Sequence, residues 1–311
     1  MTATIGVDVG GSKSLGVLLD GRGAVLTEQR VPTPRTAEEL LEAIAGLVMS
    51  LRAGAPGCAV GVGVPGLVDH DGVLRFAPNL PGVVEVPVRA VLERQAGGPI
   101  IVANDATGAT WAEFTLGSAT GARDVLMTTI GTGIGGGAVL GGVLVGGHHG
   151  FAGEFGHMVV DPNGPRCPCG QRGCWERYAS GSGLGWMARE AAQAGEAARV
   201  VELAGGDPEA VRGEHVTVAA AEGDAQAMAV MDRFAWWLAV GLANLATAFD
   251  PELIVLGGGM VEAGAVLLEP ARRAFAALLE GGLHRPPVRL VAASLGERAG
   301  AIGAALLARA A

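Results

Sequence analysis

Cys167-Pro168-Cys169-Gly170-Gln171-Arg172-Gly173-Cys174 sets three thiols at C-x-C-x4-C spacing, with glycines that let the chain wrap tightly. Zinc prefers four ligands, and thiolate and imidazole both suit it. His157, in Gly153-Glu154-Phe155-Gly156-His157, is the nearest suitable fourth donor upstream. Three free thiols or a strained local disulfide is the competing reading. With no secretory signal in the chain, the spacing points to a metal before a disulfide framework. A fully ligated site is structural: it activates no water, but it fixes loops that present polar side chains to a ligand. Cys58, alone among apolar residues, reads as core.

Carboxylates offer a second chemistry. Asn104-Asp105 ends the apolar run Ile100-Ile101-Val102-Ala103, where a ligand-facing pair belongs in an α/β fold. Asp105 there is a candidate base for a hydroxyl proton, with Asn104 orienting the hydroxyl. Taken alone, the same pair reads more readily as a cap for the helix that Ala106 to Phe114 predicts. Glu154, His157 and Glu176 flank the cysteines, and Asn79 in Pro78-Asn79-Leu80 offers another amide. Such a set suits a ligand rich in hydroxyls, each both donor and acceptor.

A third chemistry lies in Asp8-Val9-Gly10-Gly11-Ser12-Lys13. Glycines let backbone N–H groups approach a phosphate, Ser12 adds a hydroxyl, Lys13 adds charge, and Asp8 suits magnesium held through water. Alone this could be a tight hairpin with a solvated lysine. Its echo at Gly131-Thr132-Gly133, and a further glycine loop at Gly257-Gly258-Gly259, favour nucleotide binding. Two literal motif matches fail. Gly6 to Ser14 nearly spells a P-loop, but Ser12 stands where the Lys should be, and the segment continues into a strand. Gly131 to Gly136 fits G-x-G-x-x-G, yet Gly137 to Gly142 has strand and turn chemistry where that motif must open a helix.

Strands and helices must position these groups, and their signals are plain. Ile5 to Val9, Leu15 to Leu19 and Ala24 to Leu26 predict an antiparallel meander. Thr36 to Arg52 predicts an amphipathic helix opened by a Thr36/Glu39 capping box. Val60 to Val64 and Ile100 to Ala103 predict buried strands. Val125 to Ile130, Gly137 to Leu140 and Val143 to Val145 repeat the opening meander. Residues 184–250 read as mostly helical, Pro251 to Leu256 as a strand, and Glu297 to Ala310 as a helix whose Gly300 and Gly303 permit close packing. Two glycine turns, each opening a meander, predict two similar lobes facing one another across a cleft.

Composition bounds the partners. The 311 residues are half apolar, and 22 Lys+Arg against 31 Asp+Glu leave a net charge of -9, which disfavours a sequence-independent nucleic-acid binder. Met1 to Thr4 has no signal-peptide character, so a cytoplasmic location is expected. The uncharged stretch Phe234 to Phe249, interrupted by Gly241 and Asn244, is shorter than the roughly 20 apolar residues of a membrane span.

Over essentially its whole length the chain resembles the ROK group of sugar kinases and repressors, most closely the group's bacterial glucokinases. The most specific portion runs from Ile130-Gly131-Thr132-Gly133-Ile134-Gly135-Gly136-Gly137 through Phe151 to His157 and on to the cysteines and Trp175-Glu176. The resemblance implies an α/β, two-lobed actin-like ATPase (ribonuclease H-like) fold with a central cleft. Residues 1–117 would form a small lobe, with helix 297–311 packed back on it, and 118–296 a large lobe carrying the zinc loop 157–174. It implies that Asp8, Gly10, Gly11, Ser12, Lys13, Gly131, Thr132, Gly133, Gly257, Gly258 and Gly259 bind nucleotide. Asn79, Asn104, Asp105, Glu154, His157 and Glu176 would bind sugar, with Asp105 the base. His157, Cys167, Cys169 and Cys174 would hold zinc, His157 using one nitrogen for metal and the other for sugar. Ser12 stands where Thr is usual, and Thr107 where an Asn often follows Asn-Asp. The implied reaction moves the γ-phosphoryl of Mg-ATP to the 6-hydroxyl of glucose. Mannose, N-acetylmannosamine and fructose remain alternative acceptors, and polyphosphate an alternative donor. The group's repressors carry an added DNA-binding helix-turn-helix, for which a phosphate strand starting at Ile5 leaves no room. A homodimer or homotetramer is implied by the resemblance alone.

Overall fold

A computed structural model describes residues 3–77, 84–282 and 284–310. Strands β1 (Thr4–Val9) and β2 (Lys13–Leu19) bury nearly every side chain and pair antiparallel, and β3 (Val25–Pro32) completes the meander. β3 runs past the predicted Leu26 because it is an edge strand, and its polar Thr27, Glu28, Gln29 and Arg30 carry no apolar signal. Helix α1 (Ala37–Arg52) starts where its cap predicts: the Glu39 N–H donates to Thr36 Oγ1 at 3.3 Å. Glu39 answers with its carboxylate on the Thr36 hydroxyl at 2.8 Å.

Next come β4 (Ala59–Val64), a small sheet of β5 (Leu67–Val68), β6 (Leu74–Phe76) and β7 (Val84–Val86), then α2 (Val88–Ala96), β8 (Ile100–Asn104) and α3 (Asp105–Leu116). β9 (Val125–Ile130), β10 (Ile134–Leu140) and β11 (Val143–Leu144) restart the pattern. After α4 (Glu176–Ala179), which lies before the expected helical stretch, α5 (Gly181–Gln193), α6 (Ala198–Leu203), α7 (Gly213–Ala221) and α8 (Ala225–Phe249) supply the expected helices. β12 (Leu253–Gly257), α9 (Ala265–Leu278), β13 (Arg289–Ala292) and α10 (Ala299–Ala310) close the chain.

The two five-stranded sheets have orders β3-β2-β1-β4-β8 and β11-β10-β9-β12-β13, the same arrangement written twice, so the predicted repeat exists as topology. The described chain forms two compact units. One holds Met1–Leu126, Gly136–Gly153 and Ala293–Ala311, the other Met127–Gly135 and Glu154–Ala292. In the first, Ile5, Val7, Ile44, Val48, Val62 and Ile100 form a core with at most 1% of each side chain exposed. On the other face of the same sheet, α10 lies directly on strand backbone. Gly6 and Gly61 make this possible, because a Cβ on either would run into the carbonyls of Ala301 and Ala304. Gly303 does the same against Gly108 of α3. Among the described residues no helix is long and apolar enough to cross a membrane.

Candidate active site

β1, β4 and β8 run parallel, and their carboxyl ends set Asp8 beside Gly63, and Val64 beside Asn104. Ligands bind at such strand ends in open α/β sheets. Asp105 is the first residue of α3 and accepts the Ala106 N–H at 2.8 Å. Asn104 does cap that helix: its Oδ1 accepts the Thr107 N–H at 3.0 Å, while Nδ2 donates to the Gly66 carbonyl at 3.1 Å. The cap therefore fixes the amide in place and leaves one of its two N–H hydrogens for a ligand. Thr107 takes part only through its backbone, so its side chain leaves this arrangement undisturbed.

The two carboxylates are electrostatically strained. Burial pushes Asp8 up to about 7, and the Asp105 charge beside it adds to the rise. Burial also pushes Asp105 up, against the backbone N–H groups that favour its ionised form. Asp8 Oδ1 is buried without a hydrogen-bond partner among the described residues. A lone pair kept dry and unpaired is costly, and a hydrated dication would relieve it, so Asp8 fits magnesium.

In the loop after β1, the Gly10 N–H donates to the Lys13 carbonyl at 3.1 Å and Gly11 faces open space. Ser12 and Lys13 are exposed. The charge expected of Lys13 is engaged: Nζ donates to both oxygens of Glu297 at 2.9 Å. Both side chains are about half exposed, so water screens the pair and an incoming phosphate displaces it cheaply.

In the second unit, Gly131 and Thr132 come directly after β9 and Gly259 just after β12, and all three line one cavity of about 790 Å³. Its other walls are Gly181, Ser182 and Gly185 from α5, Arg212, Gly213, Glu214 and Thr217 around the start of α7, and Met260. Gly181 N–H bonds the Gly131 carbonyl at 2.8 Å, and the Ser182 hydroxyl bonds that of Thr132 at 2.8 Å, so α5 braces the loop. Not every predicted glycine faces the cavity. Gly258, at φ +83°, lets its loop approach the Ile130 backbone, and Gly257 is the buried last residue of β12. Gly133 makes room for Glu176, whose Oε2 would lie 2.7 Å from a Cβ there.

The four predicted metal donors converge. One atom from each of His157, Cys167, Cys169 and Cys174 lies within 4.8 Å of all the others. Cys169 Sγ is 3.6 Å from Cys174 Sγ, and Cys167 Sγ is 3.7 Å from His157 Nδ1. Tetrahedral zinc with bonds of about 2.0–2.3 Å sets its ligand atoms roughly 3.5–3.8 Å apart, so the cluster fits that ion. Burial, with Cys169 beside it, pushes Cys174 up to about 11, and burial raises Cys167 as well. A bound dication reverses that preference and holds the thiolates.

The cluster is continuous with the predicted sugar ligands. His157 turns Nδ1 to Cys167 and Nε2 to Glu154, 3.8 Å from its Oε2. Glu176 Oε1 accepts from the Cys167 thiol at 3.2 Å, and its Oε2 lies 3.4 Å from the Ile134 N–H. Between Cys174 and Glu176, Trp175 is fully buried and donates from Nε1 to the Trp237 carbonyl of α8 at 2.8 Å. Asn79 lies outside the described residues. Sequence reading passed over Gly181, Ser182, Arg212 and Met260 as cavity walls; the Ser180-Gly181-Ser182-Gly183 run was a visible helix-start signal and Met260 directly follows Gly259, while Arg212 reaches the cavity by tertiary approach.

A family model, the ROK family, matches residues 4–311. The chain is 42% identical to a glucokinase of Streptomyces coelicolor, covering 99% of this chain and 98% of that protein. It is 36% identical to an N-acetylmannosamine kinase of Escherichia fergusonii, covering 98% of each. The crystal structure of a ROK family glucokinase from Streptomyces griseus, in complex with glucose and AMPPNP, superimposes with a TM-score of 0.90 at 41% identity, over 99% of this chain and all of that one. The architecture is thus the actin-like ATPase fold expected from the sequence, and the chain belongs to the ROK family.

Proposed function

We propose that the protein is an ATP-dependent glucokinase that transfers the γ-phosphoryl of Mg-ATP to the 6-hydroxyl of glucose. The observation that carries the reading is the juxtaposition of two carboxylates that their surroundings make reluctant to ionise, Asp8 near the end of β1 and Asp105 just after β8, on parallel strands either side of β4. One carboxylate serves the metal-bound donor and the other deprotonates the acceptor, a division that phosphoryl transfer to an alcohol requires. The glucose and AMPPNP of the Streptomyces griseus complex, at 41% identity, support the same pair of substrates.

Each residue's role comes from its chemistry. Asp105 takes the hydroxyl proton, its raised proton affinity making it a stronger base than a solvated aspartate. Asn104, locked by its cap, orients that hydroxyl; Asn79, Glu154, His157 and Glu176 recognise the remaining ones. Gly10, Gly11, Ser12 and Lys13, with Gly131, Thr132 and Gly133, cradle phosphates, and the cavity beside Gly259 takes the adenosine. Asp8 would hold magnesium, which would neutralise phosphate charge, and His157 with the three cysteines would hold zinc, fixing the segment that leads into Glu176. ATP is favoured over polyphosphate, because Arg189 and Arg212 in the cavity are balanced by Glu214 and Glu262, so this cavity offers a long polyanion no net positive charge. A cytoplasmic location and a homodimer or homotetramer belong to the same proposal.

The test is glucose-dependent ADP production with Mg-ATP by wild type and Asp105→Asn. The variant keeps shape and loses the base, so kcat should fall by about 10²–10⁴ while glucose binding persists. Undiminished turnover would remove Asp105 from the role. A panel with mannose, N-acetylmannosamine and fructose, and a run with polyphosphate replacing ATP, separates the acceptors and donors.

A further inference from the structure

The turn that leads into α10 meets both charged residues of the first glycine loop. Glu297 holds Lys13 with both carboxylate oxygens. Three residues later Gly300 backs onto Asp8: a Cβ there would lie 2.5 Å from Asp8 Cγ and 2.6 and 2.7 Å from its two oxygens. Real Cβ atoms essentially never come so close, so any side chain at 300 must push the carboxylate aside.

Backbone conformation does not ask for glycine here, since Gly300 is outside the positive-φ residues and alanine is the better helix former. Packing requires glycine at 303, where the obstacle is the Gly108 backbone. At 300 the obstacle is a carboxylate. Gly63, beside Asp8 on β4, is different: a Cβ there would stand 3.6 Å from Asp8 Oδ1, an ordinary contact that the carboxylate tolerates. The glycine whose missing side chain leaves room for the Asp8 carboxylate is therefore Gly300, nearly three hundred residues away in sequence.

We propose that Gly300 is a positioning residue for phosphoryl transfer, its bare Cα setting the direction in which Asp8 presents its carboxylate to the metal-bound donor. This rests on the reading of Asp8 as the magnesium-side carboxylate.

The experiment uses the full-length protein as wild type, Gly300→Ala, Asp8→Ala and the double variant. Initial rates are measured against Mg2+, Mg-ATP and glucose, and melting temperatures without ligands. Gly300→Ala should raise the Mg2+ concentration for half-maximal rate and the KM for Mg-ATP about tenfold while the KM for glucose stays within about twofold, a split that general loosening would not give. In the melting cycle, Ala at 300 should lower the Tm of wild type but not of Asp8→Ala, where the atoms it strikes are gone. The cycle reads the contact even if Gly300→Ala is too unstable to assay. An unchanged Mg2+ requirement, or an equal fall in Tm in both backgrounds, overturns the proposal. Failure of wild type itself to phosphorylate glucose with Mg-ATP would instead remove the functional reading.

Discussion

Asp8 and Asp105 crowd one end of a sheet, and each is reluctant to ionise there. The consequence for stability has a definite sign. Asp8 titrates at about 7 in the folded chain against 3.8 ordinarily, so the native state holds its proton more tightly than the unfolded one. That contribution is complete below 3.8 and is lost as pH rises through about 7. Ligand-free Asp8→Asn should therefore melt above wild type at pH beyond 7, with the advantage vanishing near pH 4, as scanning calorimetry can measure. Turnover should fall on the acid side as Asp105 takes up its proton, and a kcat–pH profile would show this limb. At this scale the sequence was candid about identity and silent about surroundings. Asn104-Asp105 announced a cap, and its amide and carboxylate stand where strand and helix meet. That Lys13 would be engaged by Glu297 had no local trace, because the pairing joins positions 284 residues apart.

Helix α8 and the cysteine loop are tied by one indole. Gly241 exists in α8 because a Cβ there would enter the Trp175 ring, and the ring anchors the segment running from Cys174 to Glu176. Gly241→Ala should cost about 1–3 kcal/mol by overpacking despite its better helix propensity, measurable by urea denaturation. Cys169→Ser should release zinc, seen by elemental analysis, and weaken glucose binding, because Glu176 loses the support of the cluster beside it. Legibility at this scale tracked locality. The α1 cap and the β1–β2 turn were readable because their signals lie within a few residues. The helix α9 was not, since Pro270 inside it erases the usual pattern, and β5 to β7 are two or three residues long, too short for alternation to register.

The duplicated strand order shows that the chain spends its length twice on one topological plan and then varies the loops. The sequence betrayed this through its two glycine turns, and Gly303 announced close packing of the last helix, yet nothing local named Gly6, Gly61 and Gly108 as the partners on which α10 rests. A chain lacking residues 299–310 should fail to unfold cooperatively in its first unit, which circular dichroism and urea titration would reveal. A further consequence concerns the order of manufacture. Ribosomes deliver β1 before, and α10 after, every other described element, so the two sides of the Asp8 contact are made far apart in time. During synthesis, therefore, β1 and the glycine loop after it exist before the helix whose Gly300 packs against the Asp8 carboxylate has been made.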